Sequence, residues 1–61
     1  MTKIDRRTYH HKCRNGLELV VDRNADGYKV TVFDTQAMVT EKDFRNMREI
    51  RAYIHDVARW Q

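Results

Sequence analysis

The chain reads as a small α+β domain, an antiparallel sheet of two or three strands packed by one C-terminal helix. Three observations predict this. Leu17–Arg23 and Tyr28–Phe33 alternate in polarity and are rich in β-branched and aromatic residues, the pattern of half-buried strands. A turn sequence, Asn24-Ala25-Asp26-Gly27, separates them. The last fifteen residues contain no glycine or proline and repeat their apolar residues at helical spacing.

Taken in order, residues 1–7 show no periodicity and are expected to form a mobile basic arm, leaving residues 8–61 as a single small domain. A first strand is expected over about Thr8–Cys13, ahead of the hairpin signal Asn15-Gly16. A two-residue turn there would set Lys12 opposite Leu19 and His10 opposite Val21, placing polar residues on the core face. Either a bulge shifts that register or the strand lies differently. The second hairpin is self-consistent. A four-residue loop sets Arg23 opposite Tyr28, Asp22 opposite Lys29, Val21 opposite Val30 and Leu19 opposite Val32. The apolar pairs then share one face, and an opposite-charge pair falls on the other. The helix is expected from Thr40, a good cap, with Glu41 and Asp43 in its first turn. A rival start lies at Asn46, where Asn46 and Glu49 imitate a capping box and Ala37–Phe44 would be an extra edge strand.

Sixty-one residues allow one domain, and a chain this short buries only about 60% of its unfolded surface. The single cysteine, Cys13, rules out an internal disulfide and suits a reducing, cytoplasmic setting. No apolar run approaches a membrane span or a signal peptide. The net charge of +3 is unevenly spread. Residues 1–16 carry a net +4, residues 17–44 a net −3 and residues 45–61 a net +2.

Wound at about 100° per residue, the C-terminal segment sorts by chemistry. Met47, Ile50, Tyr53, Ile54, Val57, Ala58 and Trp60 fall on one side. Arg48, Arg51, His55 and Arg59 line another, and only Asp56 can reach one of those arginines, Arg59. That stripe suits phosphates or an acidic protein surface. Near the other terminus, Arg6, Arg7, Lys12 and Arg14 interleave with Tyr9, His10 and His11, a pattern that neutralises phosphate and stacks on bases. Tyr9, Val20, Phe33 and Trp60 are candidates for an apolar patch that takes a partner or a second copy of the chain.

Catalytic and metal chemistry have little footing. His10, His11, Cys13 and His55 lack the paired spacing of a zinc site, and alternation turns His10 away from His11 and Cys13. Cys13 with a histidine lacks an oxyanion hole and an enclosing pocket. No cofactor, metal or small-molecule substrate is expected.

Asn15-Gly16-Leu17-Glu18-Leu19-Val20-Val21 followed by Tyr28–Phe33 is similar to the sheet of the arm-binding domains of tyrosine recombinases, which insert that sheet into the DNA major groove. Here the face away from the helix would carry Glu18 and Asp22 beside Lys29, so it is not a cationic sheet. The whole-chain pattern also resembles the short accessory proteins of phages and prophages. The expectation is a non-enzymatic binder of nucleic acid or nucleoprotein, working through its basic arm and helix stripe. The rival is a protein–protein module, such as a phage-type inhibitor or regulator of a host complex.

Overall fold

A computed structural model describes residues 2–4, 6–35 and 37–60. Five strands precede one helix: β1 (Thr2–Lys3), β2 (Thr8–Lys12), β3 (Leu17–Asn24), β4 (Gly27–Asp34), β5 (Ala37–Phe44) and α1 (Met47–Val57). The strands form one antiparallel meander in the order β1-β2-β3-β4-β5, with α1 on one face. The α+β class holds, but two or three strands understates the sheet.

The central hairpin has the register its loop dictates, with Leu19 opposite Val32, Val21 opposite Val30, Asp22 opposite Lys29 and Arg23 opposite Tyr28. Asn24 Oδ1 accepts the Asp26 N–H at 2.9 Å, closing the turn as an Asx motif. Gly27 sits at φ +142°, and a Cβ there would run into the Phe44 carbonyl oxygen. Only glycine lets the end of β5 lie this close to the hairpin.

The first hairpin uses a longer loop than a two-residue turn, which takes Lys12 and His10 off the core face and leaves His11 as the polar residue there. Cys13 N–H donates to Leu17 O at 2.8 Å, Gly16 N–H donates to Cys13 O at 3.2 Å, and Gly16 takes φ +93°. The three-residue loop moves the register by one, which flips every side chain of β2. Tyr9 and His11 then oppose Val21 and Leu19 on the core side, while His10 and Lys12 oppose Val20 and Glu18 on the other.

Two expectations about the ends are corrected. The stretch expected as an arm contains β1, whose Thr2 and Lys3 pair with His10 and Tyr9, and Ile4 N–H donates to Thr8 O at 2.8 Å. Met1 and Asp5 lie outside the described residues. The helix starts at Asn46, not Thr40. Its side chain accepts the Glu49 N–H at 3.0 Å, and Glu49 Oε1 accepts the Arg45 N–H at 3.4 Å. Ala37–Phe44 pairs along β4 instead, and that ladder satisfies backbone groups on β4 that a helix over the same residues would leave open. A bulge hides this strand in the sequence. Val32 opposes Thr40 but Phe33 opposes Met38, so Val39 is an extra residue that breaks the period-two pattern.

Leu19, Val21, Val30 and Val32 from the sheet and Ile50 and Val57 from the helix are fully buried, with Cys13 beside them. Met47, Tyr53 and Ile54 extend the helix stripe against this core. At the far end Asn15 clasps the helix. Its Nδ2 donates to Val57 O at 3.0 Å and Trp60 O at 2.8 Å, and its Oδ1 accepts the Leu17 N–H at 3.1 Å. The β2–β3 turn thus ties down the last turn of the chain, sharing the Val57 carbonyl with the Trp60 N–H, which donates to it at 3.0 Å.

Truncating Leu19 or Val30 to alanine leaves a cavity in this core and is expected to cost about 2–4 kcal/mol in urea unfolding. Asn15→Asp keeps the acceptor for Leu17 but loses both donors, and sets a negative charge at the helix C-terminus. It is expected to cost about 1–2 kcal/mol by the same measurement. His11, half-buried, is pushed below its ordinary pKa mainly by that burial, with the neighbouring His10 adding to the effect. The folded state therefore holds this proton less tightly than the unfolded chain does. Stability is full above the ordinary histidine pKa of about 6.5 and declines as pH falls through and below it. His11→Gln is expected to flatten that part of a stability–pH profile.

Candidate nucleic-acid interface

α1 runs from the β3–β4 hairpin end of the sheet, where Phe44 and Arg45 abut Gly27, to the β2–β3 turn, where Asn15 holds it. Because Ile50, Ile54 and Val57 turn inward, Arg48, Arg51 and His55 are exposed on the opposite side. Arg59 lies in the turn just beyond the helix, also exposed. The stripe spans the length of the helix, about 16 Å at 1.5 Å per residue.

The stripe is not neutralised. The ion pairs among the described residues are His10–Glu18 at 2.9 Å and Lys29–Glu41 at 3.9 Å, and neither involves an arginine. Glu49 is occupied by the Arg45 backbone N–H, and Asp56, within sequence reach of Arg59, makes no ion pair with it. Arg14 neighbours Asn15, which bonds the carbonyls of Val57 and Trp60, so Arg14 and Arg59 flank one clasp. Lys12 points to the helix-free face, across from Glu18, which is paired with His10 instead.

Arg6 and Arg7 stand apart, at the hairpin end. The Arg7 carbonyl accepts the Arg23 N–H at 2.7 Å, and Arg6, Arg7 and Arg23 line a groove of about 430 Å³ with Asn24 and Ala25. A neighbouring groove of about 480 Å³ is lined by Tyr28 and Phe44 together with two carboxylates, Asp26 and Asp43, and two cations, Lys29 and Arg45. Reasoning from the sequence missed Arg23, Arg45 and these aromatics as surface features. The hairpin register places Arg23 opposite Tyr28, but the approach of β5 at Gly27 is what makes a groove beside them.

The four candidates for an apolar patch do not come together. Tyr9 lies on the core side of the sheet, with Lys3 Nζ 5.9 Å from its ring centroid. Trp60 meets the Tyr53 ring edge-on at 6.0 Å, and Tyr53 in turn packs on Phe44 at 5.1 Å. Val20 and Phe33 face away from the helix, Val20 between His10 and Thr31, Phe33 between Glu18 and Met38. That face is ringed by Glu18, Asp22, Lys29, Glu41 and Asp43, with Thr8 donating to Asp22 at 3.0 Å. It carries mixed charge, unlike the helix back.

Cys13 is buried, and burial pushes its thiol pKa up, away from the thiolate a nucleophile needs. Among the described residues no three His, Cys, Asp or Glu side chains converge as metal ligands. No described helix is long and apolar enough to cross a membrane. Compared with known proteins, the chain matches no family model, no curated protein and no solved structure.

Proposed function

We propose that this protein is a non-enzymatic nucleic-acid-binding module that grips the phosphate backbone with the outward face of α1. The observation that carries this reading is the run of arginines Arg48 and Arg51 on the helix and Arg59 in the turn after it, none of them ion-paired among the described residues, with Arg14 next to the clasp residue Asn15. Unpaired guanidiniums on a rigid helix suit regularly spaced phosphates, and neutralising each phosphate releases counterions. The mixed charge of the open sheet face argues for contact through the helix rather than through the sheet. His55 lies on the stripe and adds charge where it is protonated. The buried, unpaired Cys13 suits action in the cytoplasm.

Arg48→Ala combined with Arg51→Ala removes two phosphate contacts without touching the core. It is expected to weaken binding of a DNA fragment and to flatten the slope of log K against log salt by about two units. Circular dichroism should stay unchanged. Equal binding by wild type and double variant at every salt concentration would make the stripe a solvated face. No binding by wild type even at low salt would turn the reading to an acidic protein partner, as for a phage-type inhibitor of a host complex.

A further inference from the structure

We propose that Asn15 is a self-modifying site: the docked helix end holds off its conversion to aspartate and isoaspartate, and the conversion, once made, stops that end from docking again. The inference is independent of the nucleic-acid reading.

Asn15 is followed by Gly16, whereas the other two asparagines, Asn24 and Asn46, are followed by Ala25 and Met47. In an Asn-Gly pair the glycine backbone nitrogen can attack the asparagine Cγ, because no side chain crowds its approach. A C–N bond closes a five-membered succinimide. The Cγ–Nδ2 bond breaks, and Nδ2 leaves as ammonia with the proton of the glycine N–H. Water then adds to one of the two ring carbonyls and opens the ring. Opening at one carbonyl gives aspartate. Opening at the other gives isoaspartate, whose backbone runs through the side chain. Nothing lies within 4 Å of the place a Gly16 Cβ would take, so the surroundings of the loop set no steric bar.

Hydrogen bonds set the bar instead, at both reacting groups. The Gly16 N–H, the nucleophile, is engaged with Cys13 O at 3.2 Å. The Asn15 side chain is pinned at both terminal atoms. Its Oδ1 accepts the Leu17 N–H at 3.1 Å, and its Nδ2 donates to Val57 O at 3.0 Å and Trp60 O at 2.8 Å. Cγ cannot swing towards the Gly16 nitrogen while these bonds hold. The leaving atom is also the one that carries both bonds to the helix end, so the clasp must open before the ring can close. The Trp60 N–H bond to Val57 O and the Trp60 ring against Tyr53 hold that last turn in place, and its local opening is the gate. Conversion makes the opening permanent. The new carboxylate has no donor for the Val57 and Trp60 carbonyls and sets a negative charge at the negative end of α1. Isoaspartate also lengthens the backbone of a loop whose length fixes the β2 register.

The test incubates the full chain in mildly alkaline buffer, folded and in guanidinium chloride, and follows the tryptic peptide of residues 15–23 by mass spectrometry. Asn15 is the one asparagine in that peptide. In guanidinium chloride the peptide is expected to gain the mass of an amide exchanged for a carboxylate, while the peptides carrying Asn24 and Asn46 keep theirs. In the folded chain the conversion is expected to be at least about ten-fold slower, the factor that two net hydrogen bonds impose on opening. Trp60→Ala removes the ring contact with Tyr53 and leaves the buried core intact. It should speed conversion in the folded chain several-fold, the scale of one aromatic pair. Trp60 is the single tryptophan, so its emission reports on the last turn. The converted protein, separated by its added negative charge, should emit further to the red than the unconverted one. No conversion in guanidinium chloride, equal rates in the folded and unfolded chain, an unchanged rate in Trp60→Ala, or an unshifted emission after conversion each overturns the inference.

Discussion

Everything in this fold depends on seating one short helix over four side chains. Leu19, Val21, Val30 and Val32 form the floor, and Ile50 and Val57, seven residues apart on one stripe of α1, close it from above. No disulfide supplements this contact, since the chain has one cysteine. The helix is eleven residues long, below the length at which an isolated helix is stable in water, so it forms because the sheet receives it. Both of its ends are therefore tied. Asn46 and Glu49 close the start, and Asn15 bonds the carbonyls of Val57 and Trp60 at the finish.

That seating also decides where the charge goes. With Ile50, Ile54 and Val57 inward, the arginines of α1 have only the solvent side left. The clasp then brings Arg14 to the same end of the molecule as Arg59, although forty-five positions separate the two in the chain. At the opposite end the arginines gather around the hairpin for a different reason. β2 ends its pairing where Arg7 meets Arg23, so successive strands deliver cationic residues to one edge. The protein thus presents a cationic helix back and a cationic corner, separated by a sheet of mixed sign.

The open face contributes little to binding by charge. Its polar groups are turned on one another, as in His10–Glu18 and Thr8–Asp22, and exposed pairs of this kind are worth about 0–1 kcal/mol. They surround Val20 and Phe33 with polar groups. On the other side of the molecule, Lys42 lies 5.5 Å from the ring centroids of both Phe44 and Tyr53, so a cation also shields the edge of the aromatic cluster.

The sequence by itself determined the elements whose signals are local and redundant. The register of β3 and β4 followed from loop length and alternation together, and the helix stripe with its outward arginines followed from spacing alone. Tertiary structure decided what local signals leave balanced. Thr40–Phe44 can begin a helix or form a strand, and the ladder offered by β4 selects the strand, with the bulge at Val39 hiding the alternation. The β2 register turned on one residue of loop length, which carried Tyr9 from the expected surface patch to the core side. The grooves at the hairpin end could not be read from the sequence at all. The Tyr28–Phe44 groove needs β5 beside the hairpin at Gly27, the Arg6–Arg7–Arg23 groove needs the chain before β2 beside the end of β3, and a surface made by two segments meeting in space leaves no pattern in either one.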